Sequence, residues 1–311
     1  HRFYMPELAN SEHTVTAGYE LTHETFANNL LFDSYGRTAN SFIGEYRGKF
    51  DNQFFLTAAL RHDINDTFED FTSYSLSGAW QVPDTGTRLH ASVGTGSANP
   101  SFFDLYYDAD PGFTPNPNLK PERTLGWDLG VEQKVFNGQL TLDATLFGQE
   151  VEDLIKLSGK DVYNIPGIST RNGLELTGTL DFLNGFVASA SYTYTDARDP
   201  SGAIESRKPA HVGVINLAYT FEELPLTVHT SASFVGESYD KKFVEVSSDN
   251  WASTTVTLPA FTDLSLGLNY KVNENVEVYG RVTNILDTPN QSVYGYNSAG
   301  RAFYVGAKAS F

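Results

Sequence analysis

The sequence predicts an all-β protein: an antiparallel transmembrane β-barrel with about fourteen strands in its 311 residues. Three observations carry this expectation. Segments of alternating polarity recur from about Ser11 to the C-terminus, and each reaches the roughly 9–11 residues that a tilted strand needs to cross a bilayer. Short turns and long connections alternate between them, in the order of periplasmic turns and extracellular loops in outer-membrane barrels. On strand after strand, alternate residues are apolar while those between are polar or charged.

Composition agrees. Tyr (17) and Phe (22) are abundant and Cys is absent, which excludes a disulfide framework and a cysteine metal site. No run approaches 18 apolar residues, so a helical span is excluded, whereas a barrel needs only alternate residues to meet lipid. The net charge of −17 argues against a nucleic-acid partner, whose phosphates require a basic face. The chain opens His1-Arg-Phe-Tyr, with neither an initiator Met nor an apolar leader, and we expect a mature protein or a fragment.

In order, the alternating segments lie near 12–22, 39–50, 53–62, 71–82, 87–96, 123–136, 139–150, 169–182, 186–196, 210–221, 225–236, 258–271, 275–284 and 301–311. The stretch 23–38 reads as a long loop. Tight turns fall at Asp51-Asn52, Pro83-Asp-Thr-Gly86, Asn137-Gly138, Leu183-Asn-Gly185, Glu222-Glu-Leu-Pro225 and Asn273-Glu-Asn275. Asn137-Gly138 is the strongest, because a type I′ turn needs positive φ at both central positions. Longer connections include 97–122, 151–168, 197–209 and 237–257.

The faces are explicit. Leu140, Leu142, Ala144 and Leu146 alternate with Thr141, Asp143 and Thr145; Phe186, Ala188, Ala190, Tyr192 and Tyr194 alternate with Ser189, Ser191 and Thr193. Aromatics near strand ends (Phe50, Phe136, Phe182, Phe186, Tyr192, Tyr194, Phe221) suit interfacial girdles. In the last strand Phe303, Val305, Ala307, Ala309 and Phe311 share the lipid face, and Tyr304, Gly306 and Lys308 the wet one. A soluble β-protein would have no reason to repeat inward charges on strand after strand.

Specific motifs stand at the connections. Gly94-Thr-Gly-Ser-Ala-Asn-Pro-Ser-Phe-Phe-Asp-Leu-Tyr-Tyr107 is followed by Asn116-Pro-Asn-Leu-Lys-Pro-Glu-Arg-Thr-Leu-Gly-Trp127. Val151-Glu-Asp-Leu-Ile155, Tyr163-Asn164, Gly173-Leu-Glu-Leu176, Asn284-Ile-Leu-Asp287 and Tyr294-Gly-Tyr-Asn-Ser-Ala-Gly-Arg301 continue the series. In order and spacing, from Gly94 to Phe311, this resembles the TonB-dependent outer-membrane receptors. Within that family, Ser191-Tyr-Thr-Tyr-Thr-Asp-Ala-Arg198, Arg207-Lys208, Val235-Gly-Glu-Ser-Tyr-Asp-Lys-Lys-Phe243 and the terminal motif are most similar to the cobalamin receptors.

The resemblance implies a twenty-two-stranded barrel, of which residues 1–311 would be the C-terminal portion, without the plug domain and the N-terminal strands. It implies an outer-membrane receptor of Gram-negative bacteria, taking up a scarce nutrient actively: cobalamin or a related corrinoid, otherwise a metal chelate such as a siderophore. The implied partners are the TonB energy-transducing complex (through the plug), outer-membrane lipid and lipopolysaccharide, the small-molecule ligand and the barrel assembly machinery. No cofactor is implied. Arg207 matches an arginine at the corrinoid site, and Phe243 stands where that site has a tyrosine. Tyr239, Asp240, Phe102, Phe103, Tyr106 and Tyr107 complete the expected ligand surface, with the four aromatics equally suited to packing a loop on the barrel wall. Tyr304 and the terminal Phe311 resemble the C-terminal assembly signal of such barrels.

The residues themselves place no resident metal and no catalysis. The seven histidines are scattered, and Asp108 and Asp110 lack a third fixed oxygen ligand. There is no Gly-X-Ser-X-Gly, phosphate loop or His-Glu-X-X-His, so no enzyme is expected. The competing expectation is a self-contained, fourteen-stranded passive pore.

Overall fold

The computed structural model describes residues 2–4, 10–28, 33–108, 112–182, 184–247 and 250–310. The first of its two compact units comprises His1–Gly130, Phe147–Asn172 and Arg198–Ala203. It holds β1 (Arg2–Tyr4), β2 (Ser11–Asn28), β3 (Asp33–Phe50), β4 (Phe54–Asn65), β5 (Phe71–Gln81) and β6 (Thr87–Ala98). Parts of β7 (Glu122–Val135), β8 (Leu140–Glu152) and β11 (Ile168–Phe182) follow, with the small hairpin β9 (Ile155–Ser158) and β10 (Asp161–Asn164) between β8 and β11. The sheet runs β1-β2-β3-β4-β5-β6-β7-β8-β11, each large strand paired with its neighbour in sequence.

Register separates two chemistries. Phe50 pairs with Phe54, Gly44 with Leu60, Leu60 with Tyr74, and Trp80 with Leu89, all on the apolar face. The opposite face pairs Glu12 with Lys49, Glu20 with Ser41, and Ser41 with Asp63. There Arg61 Nε lies 2.8 Å from Asp63, and its Nη2 donates to the buried Ser41 hydroxyl at 2.6 Å. One-residue slippage would drive these charges into lipid, so the membrane itself fixes the register.

The second unit comprises Val131–Leu146, Gly173–Ala197 and Ile204–Phe311. Beyond its parts of β7, β8 and β11 it holds β12 (Phe186–Arg198), β13 (His211–Thr220), β14 (Leu226–Val235), β17 (Phe261–Lys271), β18 (Val276–Thr283) and β19 (Ala302–Ala309), in that sheet order. A separate hairpin, β15 (Ser238–Ser247) and β16 (Asn250–Leu258), rises between β14 and β17. Glu277 pairs with Lys308 and Arg281 with Tyr304 on the wet face, while Val282 pairs with Phe303 and Gly280 with Val305 on the other. Phe303 and Val305 are 74% and 90% exposed, as a lipid face requires.

All fourteen expected segments are strands, and the turns have the expected chemistry. Asp51 and Asn52 both have positive φ (51° and 57°), as do Asn137 and Gly138 (55° and 88°). Gly185 has φ 84°, and a Cβ there would overlap the Thr220 carbonyl. Rings cluster beside these turns: Phe54 stacks on Trp80 at 5.7 Å, Phe182 lies 6.1 Å from Phe186, and Tyr219 lies 4.8 Å from Phe221.

Four stretches differ from expectation. The stretch read as a loop at 23–38 continues β2 and β3 as paired strand through Asn28↔Asp33, with residues 29–32 outside the described set. Its ladder pairs polar groups, Glu24 with Arg37 at 2.6 Å and His23 with Thr38 at 3.0 Å. Above the lipid both faces meet polar surroundings, so the strand persists on backbone pairing without the period-two signal. For the same reason 151–168 and 237–257 carry the β9–β10 and β15–β16 hairpins, while 97–122 carries a short helix, Phe102–Tyr106, that starts at the Ser101 cap.

Candidate functional site

In the first unit the short helix is capped by Ser101, whose hydroxyl accepts from the Asp104 N–H at 3.0 Å. Leu105 is buried against Leu119 and Val162. The expected aromatics divide into two stacks. Phe102 and Tyr106 lie on the β2–β3 hairpin, at 6.0 Å from Phe26 and 4.0 Å from Tyr35, with Arg37 over the Phe102 ring at 4.6 Å. Phe103 turns the other way, at 4.4 Å from Tyr107 and 4.6 Å from Phe113, and is 43% exposed.

The Asn116–Glu122 stretch is a clip. Asn116 Nδ2 donates to the Val162 carbonyl at 3.0 Å. Asn164 Oδ1 accepts from the Lys120 N–H at 2.9 Å, while its Nδ2 donates to the carbonyls of Lys120 (3.0 Å) and Asp153 (2.7 Å). Glu122 accepts from the Ile155 N–H at 2.6 Å. Side chains that bind backbone hold the two long connections of this unit together.

In the second unit three connections meet at one carboxylate. Asp240, on β15, is 1% exposed. Its Oδ1 lies 2.8 Å from Arg207 Nε and accepts from the Lys241 N–H at 2.8 Å; its Oδ2 accepts from the Tyr294 N–H at 2.8 Å. Burial alone would raise this acid, but the hydrogen bonds from the Tyr294 N–H, the Arg207 guanidinium and the Lys241 N–H outweigh it. The acid is held below the usual carboxylate value. Arg207 has φ 60°, and its own N–H donates to the Tyr239 carbonyl at 2.7 Å. A non-glycine residue persists in that conformation only where its surroundings over-determine it.

Arg207 and Asp240 are thus brought together, and Tyr239 contributes its backbone. The Tyr239 hydroxyl donates to Glu237 at 3.0 Å, an interaction that raises the phenol's pKa. Phe243, 56% exposed, shares the Tyr239 side of the hairpin, opposite Asp240 and Lys242. Sequence reasoning missed Tyr294 and Lys242 as site residues. Tyr294 opens the terminal motif, and Lys242 has the strand parity of Asp240, with its Nζ 5.8 Å from the Tyr294 ring.

The terminal motif is a second clip. Asn284, 2% exposed, donates to the carbonyls of Thr288 (3.1 Å) and Ala299 (3.4 Å) and accepts from the Thr288 N–H at 3.0 Å. Asp287 accepts from the Arg301 N–H at 2.8 Å. Tyr304 stacks under the Arg281 guanidinium at 4.6 Å; Phe311 and Asp110 lie outside the described residues. Among the described residues, no group of three or more His, Asp or Glu is placed to hold a metal.

A family model described as "TonB dependent receptor-like, beta-barrel" matches residues 7–285. A vitamin B12 transporter of Photobacterium profundum is 29% identical over 81% of the chain and 40% of its own length. One from Vibrio cholerae is 24% identical over 96% and 46%. Of solved structures, the ferric enterobactin receptor of Pseudomonas aeruginosa covers the whole chain with 53% of its own (TM-score 0.82, 21% identity). The siderophore receptor PirA of Acinetobacter baumannii does so with 54% of its own (TM-score 0.81, 18% identity). The chain spans less than half the length of those curated relatives.

Proposed function

The chain belongs to the TonB-dependent receptor β-barrel family of the Gram-negative outer membrane, and from that premise we propose that it is the C-terminal barrel portion of a receptor for energised nutrient uptake. A preceding plug and the TonB complex would supply closure and energy, surface lipopolysaccharide would surround the barrel, and the assembly machinery would read its terminal strand. The ligand proposed is cobalamin or a related corrinoid. What supports this is Arg207, held by the buried Asp240 where three long connections converge, with half of its side chain exposed. The relatives named as vitamin B12 transporters support the same ligand.

A second reading is an anionic metal chelate, favoured by two cations, Arg207 bound to Asp240 and Lys242 beside the Tyr294 ring, and by Phe243, which lacks a hydroxyl. The test uses the full-length receptor in a strain dependent on external cobalamin. Arg207→Ala is expected to slow growth at limiting cobalamin and to leave growth at excess cobalamin unchanged. Unchanged uptake of labelled cyanocobalamin would remove this residue from the site. Collapse of the proton-motive force is expected to stop uptake; persistence would favour the passive pore.

A further inference from the structure

We infer that Asp240 is a positioning residue that assembles Arg207, Lys242 and Tyr294 into a subsite for an anionic oxygen-bearing group, a phosphate or carboxylate, of the captured ligand. This deepens the uptake reading and rests on it for the ligand's identity, though not for the subsite's chemistry.

On a chain of net charge −17 a small anion is repelled at long range, so a capture point must be built locally. The structure builds one from three connections. Arg207 comes from the β12–β13 connection, Lys242 from β15, and Tyr294 from the β18–β19 connection. Asp240 spends its oxygens on the Arg207 Nε, the Lys241 N–H and the Tyr294 N–H. The carboxylate is therefore not available as a ligand group itself. Its effect is to hold the guanidinium by one edge, and the Arg207 terminal nitrogens have no protein partner among the described residues. A guanidinium held in this way presents a fork that matches a carboxylate or phosphate in two parallel hydrogen bonds.

Lys242 completes the arrangement. It shares the strand face of Asp240, and its ammonium stands 5.8 Å from the Tyr294 ring, whose backbone N–H is bonded to that same Asp240. The ring and the guanidinium are thus tied to one anchor, and the ammonium is drawn to the ring face. Three separate connections reach one geometry before a ligand arrives, which removes part of the ordering cost of binding. The left-handed backbone at Arg207 (φ 60°) fits this account, because it is retained where the tie to Tyr239 and Asp240 fixes it.

The test uses the full-length receptor in detergent, with inorganic phosphate as the probe. Acylation of Lys242 and phenylglyoxal modification of Arg207 are followed by mass spectrometry as phosphate is raised. In the wild type both side chains are expected to be protected together. Asp240→Ala is expected to weaken protection about tenfold or more, and Lys242→Gln to weaken protection of Arg207 by about three- to tenfold, in line with charge pairs that are partly desolvated. Asp240→Asn keeps an acceptor for the Tyr294 N–H and removes the charge, so it reports even if the alanine variant fails to assemble, and Asp240→Glu is expected to restore part of the effect. No protection in the wild type, or equal protection in wild type and Asp240→Asn, overturns the inference. Cyanocobalamin and ferric enterobactin binding are measured on the same preparations. If neither binds while phosphate protection depends on Asp240, the nutrient reading fails and the subsite stands; if either binds without phosphate protection, the subsite fails and the nutrient reading stands.

Discussion

Replacing Asn164 by Ala is the sharpest test of how the long connections are attached. Asn164 makes three hydrogen bonds, of 2.9, 3.0 and 2.7 Å, to the backbone of Lys120 and Asp153. A net hydrogen bond is worth about 1 kcal/mol, and a backbone group left unpaired in a partly buried site costs about 1–3 kcal/mol. Three bonds at the lower figure give about 3 kcal/mol of local stability, and at about 1.4 kcal/mol per tenfold this raises the open fraction by roughly a hundredfold. Nothing in the strand ladders is touched, so the barrel should melt where it did before. Hydrogen exchange of the Lys120 amide reads the opening directly. The expected result is acceleration by about two orders of magnitude, confined to residues 116–122 and 153–164. Acceleration below about threefold would refute the clip, since even one of the three bonds should exceed that.

Two further outcomes follow from faces and charges. Val305→Arg places a cation in lipid at a position 90% exposed; an unfolding loss of about 2–4 kcal/mol is expected in bilayers, whereas Lys308→Ala on the opposite face should cost far less, as read by urea titration of heat-modifiable mobility. Asp240 has a lowered pKa, so its tie contributes fully above its unfolded value of 3.8 and is lost as pH falls below that through the lower folded value. The Tyr294 amide resonance should stay constant from about pH 8 to about pH 5 and move only in acid. Asp240→Asn should abolish the acid-dependent movement.

How much the sequence disclosed follows the solvent. Within the bilayer, a residue either meets lipid or does not, and that choice alternates with the pleat; hence β12 and β19 could be read with their faces assigned, down to Phe303 and Val305 outside and Lys308 inside. Above the bilayer the constraint vanishes. His23–Asn28 and Asp33–Thr38 pair through Glu24–Arg37 and His23–Thr38 with no apolar stripe, so a strand there is indistinguishable in pattern from a loop. Turns were legible because Asn-Gly and Asp-Asn state their backbone geometry outright. At the candidate site, Asp240 gave a carboxylate near Arg207 in expectation, but nothing local announces that it is 1% exposed or that its partner is Tyr294, fifty-four residues away.

The motifs themselves explain why family was easier to read than ligand. Asn116, Glu122, Asn164, Asn284 and Asp287 all spend their side chains on backbone N–H and C=O groups of the connections. An amide or carboxylate bonded to backbone is indifferent to the side chains around it, so such residues can fix how a loop leaves a strand while the loop's surface changes freely. Signatures of this kind therefore describe attachment. In the reading proposed above, recognition comes from what the attached segments present outward: the Arg207 fork, the Lys242 ammonium and the Tyr294 ring on one side of the hairpin, and Phe243 on the other. Changing Phe243 to Tyr should then leave the proposed anionic subsite intact and alter only contacts on the opposite hairpin face. A comparison of phosphate protection and cyanocobalamin affinity in that variant separates the two surfaces: unchanged protection with altered affinity is expected, and a parallel loss of both would show that the hairpin acts as one surface after all.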